Sequence, residues 1–168
     1  MNKKMKVKKI VTIDTDIEII GATLLSTEEA EKLPERLRKY SNWWWLRSKG
    51  YGSHATYVDR GGSVNYHGDA VIYGNNCVRP ALKISNLESA NFKIGDTFEF
   101  GGKQFEVISN DMAFCKNDIG VYVFRVNYNV YGYIVDYDAP DANDYEISNV
   151  KKFVDDWFNT ALKGDKDD

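Results

Sequence analysis

The chain has 168 residues, a formal net charge of −3, 43% hydrophobic residues and 28% charged residues. That length allows one well-packed domain or two very small ones, and that composition excludes a disordered chain. The mildly acidic balance excludes the basic stripe that phosphate contacts along a nucleic acid require, and no apolar run approaches the roughly 20 residues that span a bilayer.

Lys3, Lys4, Lys6, Lys8 and Lys9 open the chain. Acidic residues interrupt the apolar stretch that follows, so no signal-peptide core forms and the protein reads as cytoplasmic. Residues 7–13 and 17–25 read as strands from their branched side chains, with Asp14 to Asp16 as the turn between them. Ser26 and Glu29 match a capping box, which starts a helix at Thr27. Pro34 lacks an N–H and clashes with the preceding turn, so that helix kinks or splits into two short ones. Residues 43–48 follow as a strand that carries Trp43, Trp44 and Trp45 in succession. Its alternation sends Trp43 and Trp45 to one face and Trp44 to the other.

Residues 54–59 and 62–68 read as a hairpin around Arg60 and Gly61. Residues 69–74 and 77–84 read as two further strands about an Asn-rich turn at Gly74 to Asn76, with Pro80 marking an edge or a bulge. Residues 85–94 read as a connection. Residues 95–109 alternate cleanly and turn at Gly101-Gly102. Residues 119–138 read as a tyrosine-rich strand pair turning near Tyr128 to Tyr131, and residues 139–144 as a loop. Val150, Phe153, Val154, Trp157, Phe158, Ala161 and Leu162 repeat at helical spacing. Ser148 is the predicted N-cap of that helix and Gly164 its predicted stop.

Two blocks within residues 24–84 carry a family resemblance. Trp44-Trp45-Leu46-Arg47-Ser48 and Val78-Arg79-Pro80-Ala81-Leu82 resemble the WWLRS and VRPAL signature of a bacterial and phage domain family of unknown function. Such domains are similar to the C-type-lectin-like fold shared by formylglycine-generating enzymes. The resemblance implies an α+β fold with mixed or antiparallel sheets and two or three helices. It makes Trp43, Trp44, Trp45, Arg47, Arg79 and Trp157 scaffold rather than site. Residues 92–163 resemble the remaining parts of the same family in an unusual order. The strand pair that usually opens the domain falls after VRPAL, with Phe105 in place of a tryptophan, and the helix that usually precedes WWLRS comes last. Residues 1–168 are therefore read as one circularly permuted domain, the alternative being the end of one domain joined to the start of another. Permutation would pack the helix at 150–162 on the tryptophan strand and cover both faces of that strand.

Little in the chain suggests catalysis. Cys77 and Cys115 are the two cysteines. They do not reproduce the late cysteine pair of formylglycine-generating enzymes and are expected as buried thiols. His54 and His67 lack ligand spacing. Asp136 and Asp138 begin like a calcium loop, but Asp141 stands where glycine is needed and Ile147 where a bidentate glutamate is needed. No catalytic residue, metal or cofactor is expected. Arg47 and Arg79 are expected to find carboxylate or carbonyl partners, because an unpaired interior charge is costly.

The resulting expectation is a non-enzymatic binding module with another protein as partner, homo-oligomerisation being left open. Its surface is expected at Tyr51, Tyr57, Tyr66, Tyr73, Tyr131 and Tyr133, with Asp136, Asp138, Asp141 and Asp144 on acidic loops. One alternative is a phage-encoded inhibitor that sets those acidic loops into a host defence nuclease, within the host cytoplasm. A second is a carbohydrate or small-ligand binder. Neither direct nucleic-acid binding nor a membrane is part of the expectation.

Overall fold

The computed structural model describes residues 3–9, 14–126 and 142–166. In chain order the strands are β1 (Lys3–Lys9), β2 (Asp14–Thr23), β3 (Trp44–Lys49), β4 (Ala55–Val58), β5 (Val64–Asp69), β6 (Ala81–Ile84), β7 (Thr97–Phe100), β8 (Lys103–Val107) and β9 (Met112–Cys115). Helices α1 (Thr27–Glu31) and α2 (Glu35–Arg38) lie between β2 and β3, and α3 (Asn149–Lys166) follows a short 3-10 turn at Tyr145–Ile147. The paired strands are all antiparallel, so the chain is α+β with antiparallel sheets. It divides into two compact units. One comprises Met1–Thr23, Arg79–Asp118 and Val154–Asp168; the other comprises Leu24–Val78 and Ile119–Phe153. Each unit draws on both of the sequence halves that carry the family resemblance.

The first unit is a closed barrel in the order β1-β2-β6-β9-β8-β7. Period-2 alternation builds it. Met5, Val7, Ile17, Ile19, Phe98, Phe100, Phe105 and Val107 are buried, while the intervening Lys4, Lys6, Asp16 and Glu99 are exposed. Each fully buried side chain of this size contributes about 1.5–3 kcal/mol. The rings interlock, with Phe98 stacked on Phe105 at 5.9 Å and Phe100 edge-on to Trp157 at 6.0 Å. Trp157 and Phe158 thus set the apolar stripe of α3 against the β7–β8 hairpin. The sequence pointed that stripe at the tryptophan strand. The aromatic side chains of the alternating hairpin take the part of it that carries Trp157 and Phe158.

Arg79 is 1% exposed in this unit. Its guanidinium lies 4.5 Å from the Phe114 ring centre and donates from Nε to the Asn117 carbonyl at 3.2 Å. Cys115 is a buried free thiol, and burial pushes its pKa up to about 11. It therefore holds its proton and is a poor nucleophile.

The second unit holds the sheet β3-β4-β5 and both short helices. The capping box forms: Ser26 Oγ accepts from the Glu29 N–H at 3.1 Å, and the Ser26 N–H donates to Glu29 Oε1 at 2.8 Å. Arg47 Nη1 donates to the same Oε1 at 2.6 Å and to the Leu24 carbonyl at 2.8 Å. Burial raises the Glu29 carboxyl, but the bonds from Arg47 and Ser26 outweigh it and hold its pKa below the ordinary value. Pro34 sits at the N-cap of α2, where no N–H is needed.

Several predicted elements differ. Asp14, Thr15 and Asp16 belong to β2 and pair with Lys8, Val7 and Lys6 rather than turning. The predicted strand over 7–13 is the earlier β1, and residues 10–13 lie outside the described residues. Residues 70–74 form turns, not a strand. Pro80 stands just before β6, a strand paired on both sides by β2 and β9, so it is neither edge nor bulge. Residues 122–126 are irregular, and the remainder of the predicted tyrosine-rich pair, 127–138, lies outside the described residues. Ser148 Oγ accepts from the Lys151 N–H at 3.0 Å as an N-cap does. Gly164 does not stop α3, which runs to Lys166.

Gly101 has φ +60°, and a Cβ there would lie 2.8 Å from Ala161 Cβ and 3.1 Å from the Trp157 ring. Gly102 has φ +76° but open space around it. Gly101→Ala should therefore lower stability by about 2–4 kcal/mol in urea unfolding, from left-handed strain plus overpacking. Gly102→Ala carries the backbone cost alone, about 1–2 kcal/mol. Equal losses for the two would contradict this packing of α3.

Candidate functional site

The three consecutive tryptophans separate into two roles. Trp44 and Trp45 are fully buried. Trp44 Nε1 donates to the Arg38 carbonyl at 3.1 Å, and Trp45 Nε1 to the Tyr122 carbonyl at 2.8 Å. Trp43 precedes β3 and is half-buried. One face of its ring stacks on Tyr57 at 4.7 Å with an 18° interplanar angle, and the residue also lines a pocket of about 610 Å³.

That pocket forms where the sheet stops being regular. Beyond β3 the backbone continues through single bridges, Trp44 to Cys77 and Cys77 to Val121. Asn42 ties the start of β3 to the neighbouring turn: its Oδ1 accepts from the Trp43 N–H at 2.8 Å, and its Nδ2 donates to the Asn75 carbonyl at 2.6 Å. Arg60 reaches in from the β4–β5 turn and donates from Nε to the Ser41 carbonyl at 3.1 Å. Tyr73 and Val121 stand at the pocket 42% and 50% exposed. Asn76 lines it too, yet is 1% exposed, and neither Oδ1 nor Nδ2 has a hydrogen-bond partner among the described residues. A buried amide left in that condition costs about 1–3 kcal/mol. Among the described residues the lining holds one cation, Arg60, and no carboxylate.

The expected tyrosines are dispersed. Tyr51 is 72% exposed and stacks on His67 with ring centres 5.1 Å apart. Tyr66 is 55% exposed and donates its hydroxyl to Glu31 Oε2 at 2.6 Å. Tyr57, expected on a binding loop, is buried in β4 beneath Trp43, because its ring completes that stack. Asp144 caps the 3-10 turn, its Oδ1 accepting from the Glu146 N–H at 3.0 Å. Tyr131, Tyr133, Asp136, Asp138 and Asp141 lie outside the described residues. The pocket brings together Trp43 and Tyr73 but neither Tyr51 nor Tyr66. It adds Asn42, together with Arg60, Asn75 and Asn76, the last three of which sequence reasoning assigned to turns. The available signal was an Asn-rich turn in a chain with an unusually aromatic strand.

Among the described residues no three His, Cys, Asp or Glu side chains gather as a metal site, and no helix is long and apolar enough to cross a membrane. A family model described as a domain of unknown function (DUF6273) matches residues 15–86, less than half of the chain. The match runs from β2 through β6 and contains the pocket residues from Ser41 to Asn76. No curated protein and no solved structure matches the chain. The lectin-like resemblance accordingly rests on the sequence motifs alone.

The bond to Glu31 stabilises the protonated form of the Tyr66 hydroxyl and raises its pKa, with a smaller contribution from the Glu31 charge. In a pH titration followed by tyrosine ring carbon shifts, Tyr66 should ionise above an ordinary tyrosine, and Glu31→Gln should lower its midpoint. An unchanged midpoint in that variant would show that the contact does not persist in solution.

Proposed function

We propose that this protein is a non-enzymatic, cytoplasmic binding module whose partner is another protein, engaged through Tyr51 and Tyr66. The observation that carries this reading is that both tyrosines are largely exposed and yet held, one by a ring stack on His67 and the other by its hydrogen bond to Glu31. An exposed aromatic side chain already fixed in one position loses little conformational entropy when a partner covers it. Tyrosine also gives a contact both apolar area and a polar tip. Cys77 and Cys115 are buried and neither is held in a disulfide, which suits a reducing compartment.

The test compares the wild-type chain with a Tyr51→Ala/Tyr66→Ala double variant and a Lys83→Ala control, each immobilised and exposed to a lysate. Loss of one central tyrosine contact costs about 1–2 kcal/mol, so the double variant should retain at least about tenfold less of any captured partner. The control, altered at an exposed β6 position, should capture as the wild type does. Equal capture by all three would overturn this surface.

A further inference from the structure

The pocket beside β3 is separate from Tyr51 and Tyr66, and its chemistry points to a different kind of ligand. We propose that it binds a small organic anion bearing a flat ring, of the nucleoside monophosphate class. Three features converge on that class. Trp43 and Tyr73 put two aromatic side chains at the pocket, and Trp43 is braced from behind by Tyr57. Aromatic side chains hold planar rings by stacking, whatever the identity of the ring.

The second feature is charge. Arg60 is anchored through Nε on Ser41, which leaves its two Nη groups without a partner among the described residues. No lining carboxylate competes for them. A free guanidinium fork of this kind matches a phosphate or carboxylate in two-point geometry. Arg60 can only donate, whereas the Asn75 and Asn76 amides, Ser41 and Tyr73 can both donate and accept.

Asn76 is the third feature. Its amide offers one acceptor and one donor, both unused, in a residue 1% exposed at the pocket. A side-chain amide pairs through both atoms with a base edge that presents an adjacent donor and acceptor, as adenine does. The volume of about 610 Å³ accommodates a single ligand of this size and falls within the usual range for small-molecule sites. Ring, anion and amide partner occur together in a nucleotide.

The full chain should be titrated at low ionic strength, by calorimetry and by indole N–H shifts, with AMP, GMP, CMP and UMP. Adenosine and ribose 5-phosphate serve as the ring without the anion and the anion without the ring. At least one nucleotide should bind at a single site, perturb the Trp43 indole, and exceed both fragments in affinity by about tenfold or more. Arg60→Gln, at an exposed position, should weaken the nucleotide about tenfold and leave adenosine unchanged. Asn76→Ala should weaken binding while leaving the urea midpoint unchanged or raised, since it removes an unpaired buried amide. The proposal is overturned if none of the four nucleotides binds at 5 mM (about the weakest affinity of interest), if Arg60→Gln leaves affinity unaltered, or if ribose 5-phosphate binds as well as the nucleotide. Failure here leaves the protein-binding reading intact, because that reading rests on Tyr51 and Tyr66.

Discussion

Adjacent tryptophans on one strand impose a demand that organises the second unit. Trp44 and Trp45 leave the backbone in opposite directions, and both are buried completely. β3 therefore needs cover on two faces, and each cover must supply an acceptor for an indole N–H. The carbonyl of Arg38 at the end of α2 meets Trp44, and the carbonyl of Tyr122 meets Trp45, whose ring also sits edge-on to Phe124 at 5.5 Å. The same Arg38 holds that arrangement with its guanidinium, donating from Nε to the Gly62 carbonyl at 2.8 Å and from Nη1 to the Leu33 carbonyl at 2.6 Å. Arg47, two residues beyond Trp45, locks the other end of the strand to the capping box through Glu29. One six-residue strand thereby positions both short helices and the segment after Ile119.

The pocket follows from where that demand ends. Trp43 precedes the paired part of β3, so it escapes double burial and meets Tyr57 on one side. Past this point the sheet continues through isolated bridges, and irregular backbone leaves room between side chains that a regular strand would close. Asn42 and Asn75 stabilise the irregular segment, while the Asn76 side chain beside it has no hydrogen-bond partner among the described residues. The recess thus sets the buried Asn76 amide beside Arg60, Trp43 and Tyr73.

Local signals explain which parts were legible beforehand. Ser26 with Glu29, the Gly101-Gly102 hairpin and the helical spacing from Val150 to Leu162 are short-range patterns, and each formed where it was read. β9 went unread because all four of its residues are buried, so it shows no alternation. Residues 70–74 and 122–126 carry the branched and aromatic side chains of strands, but burial of Val71 and Phe124 in turns accounts for that composition equally well. Gly164 failed as a stop because an exposed helical glycine costs only about 1 kcal/mol. The site was the least legible part. Its residues come from positions 41–43, 60, 73, 75–76 and 121, and nothing local announces that such distant segments share a wall. The tryptophan run was visible at once, but its division into two buried rings and one at the pocket depends on where pairing begins.

That division is the central structural claim, and hydrogen exchange of the four indole N–H groups, resolved by NMR, tests it most directly. Trp44 and Trp45 should exchange only with global unfolding of their unit, because both N–H groups are bonded inside it. Trp43, whose indole N–H has no hydrogen bond among the described residues, should exchange by local access and orders of magnitude faster. Comparable protection of all three, or rapid exchange at Trp44 or Trp45, would contradict the account.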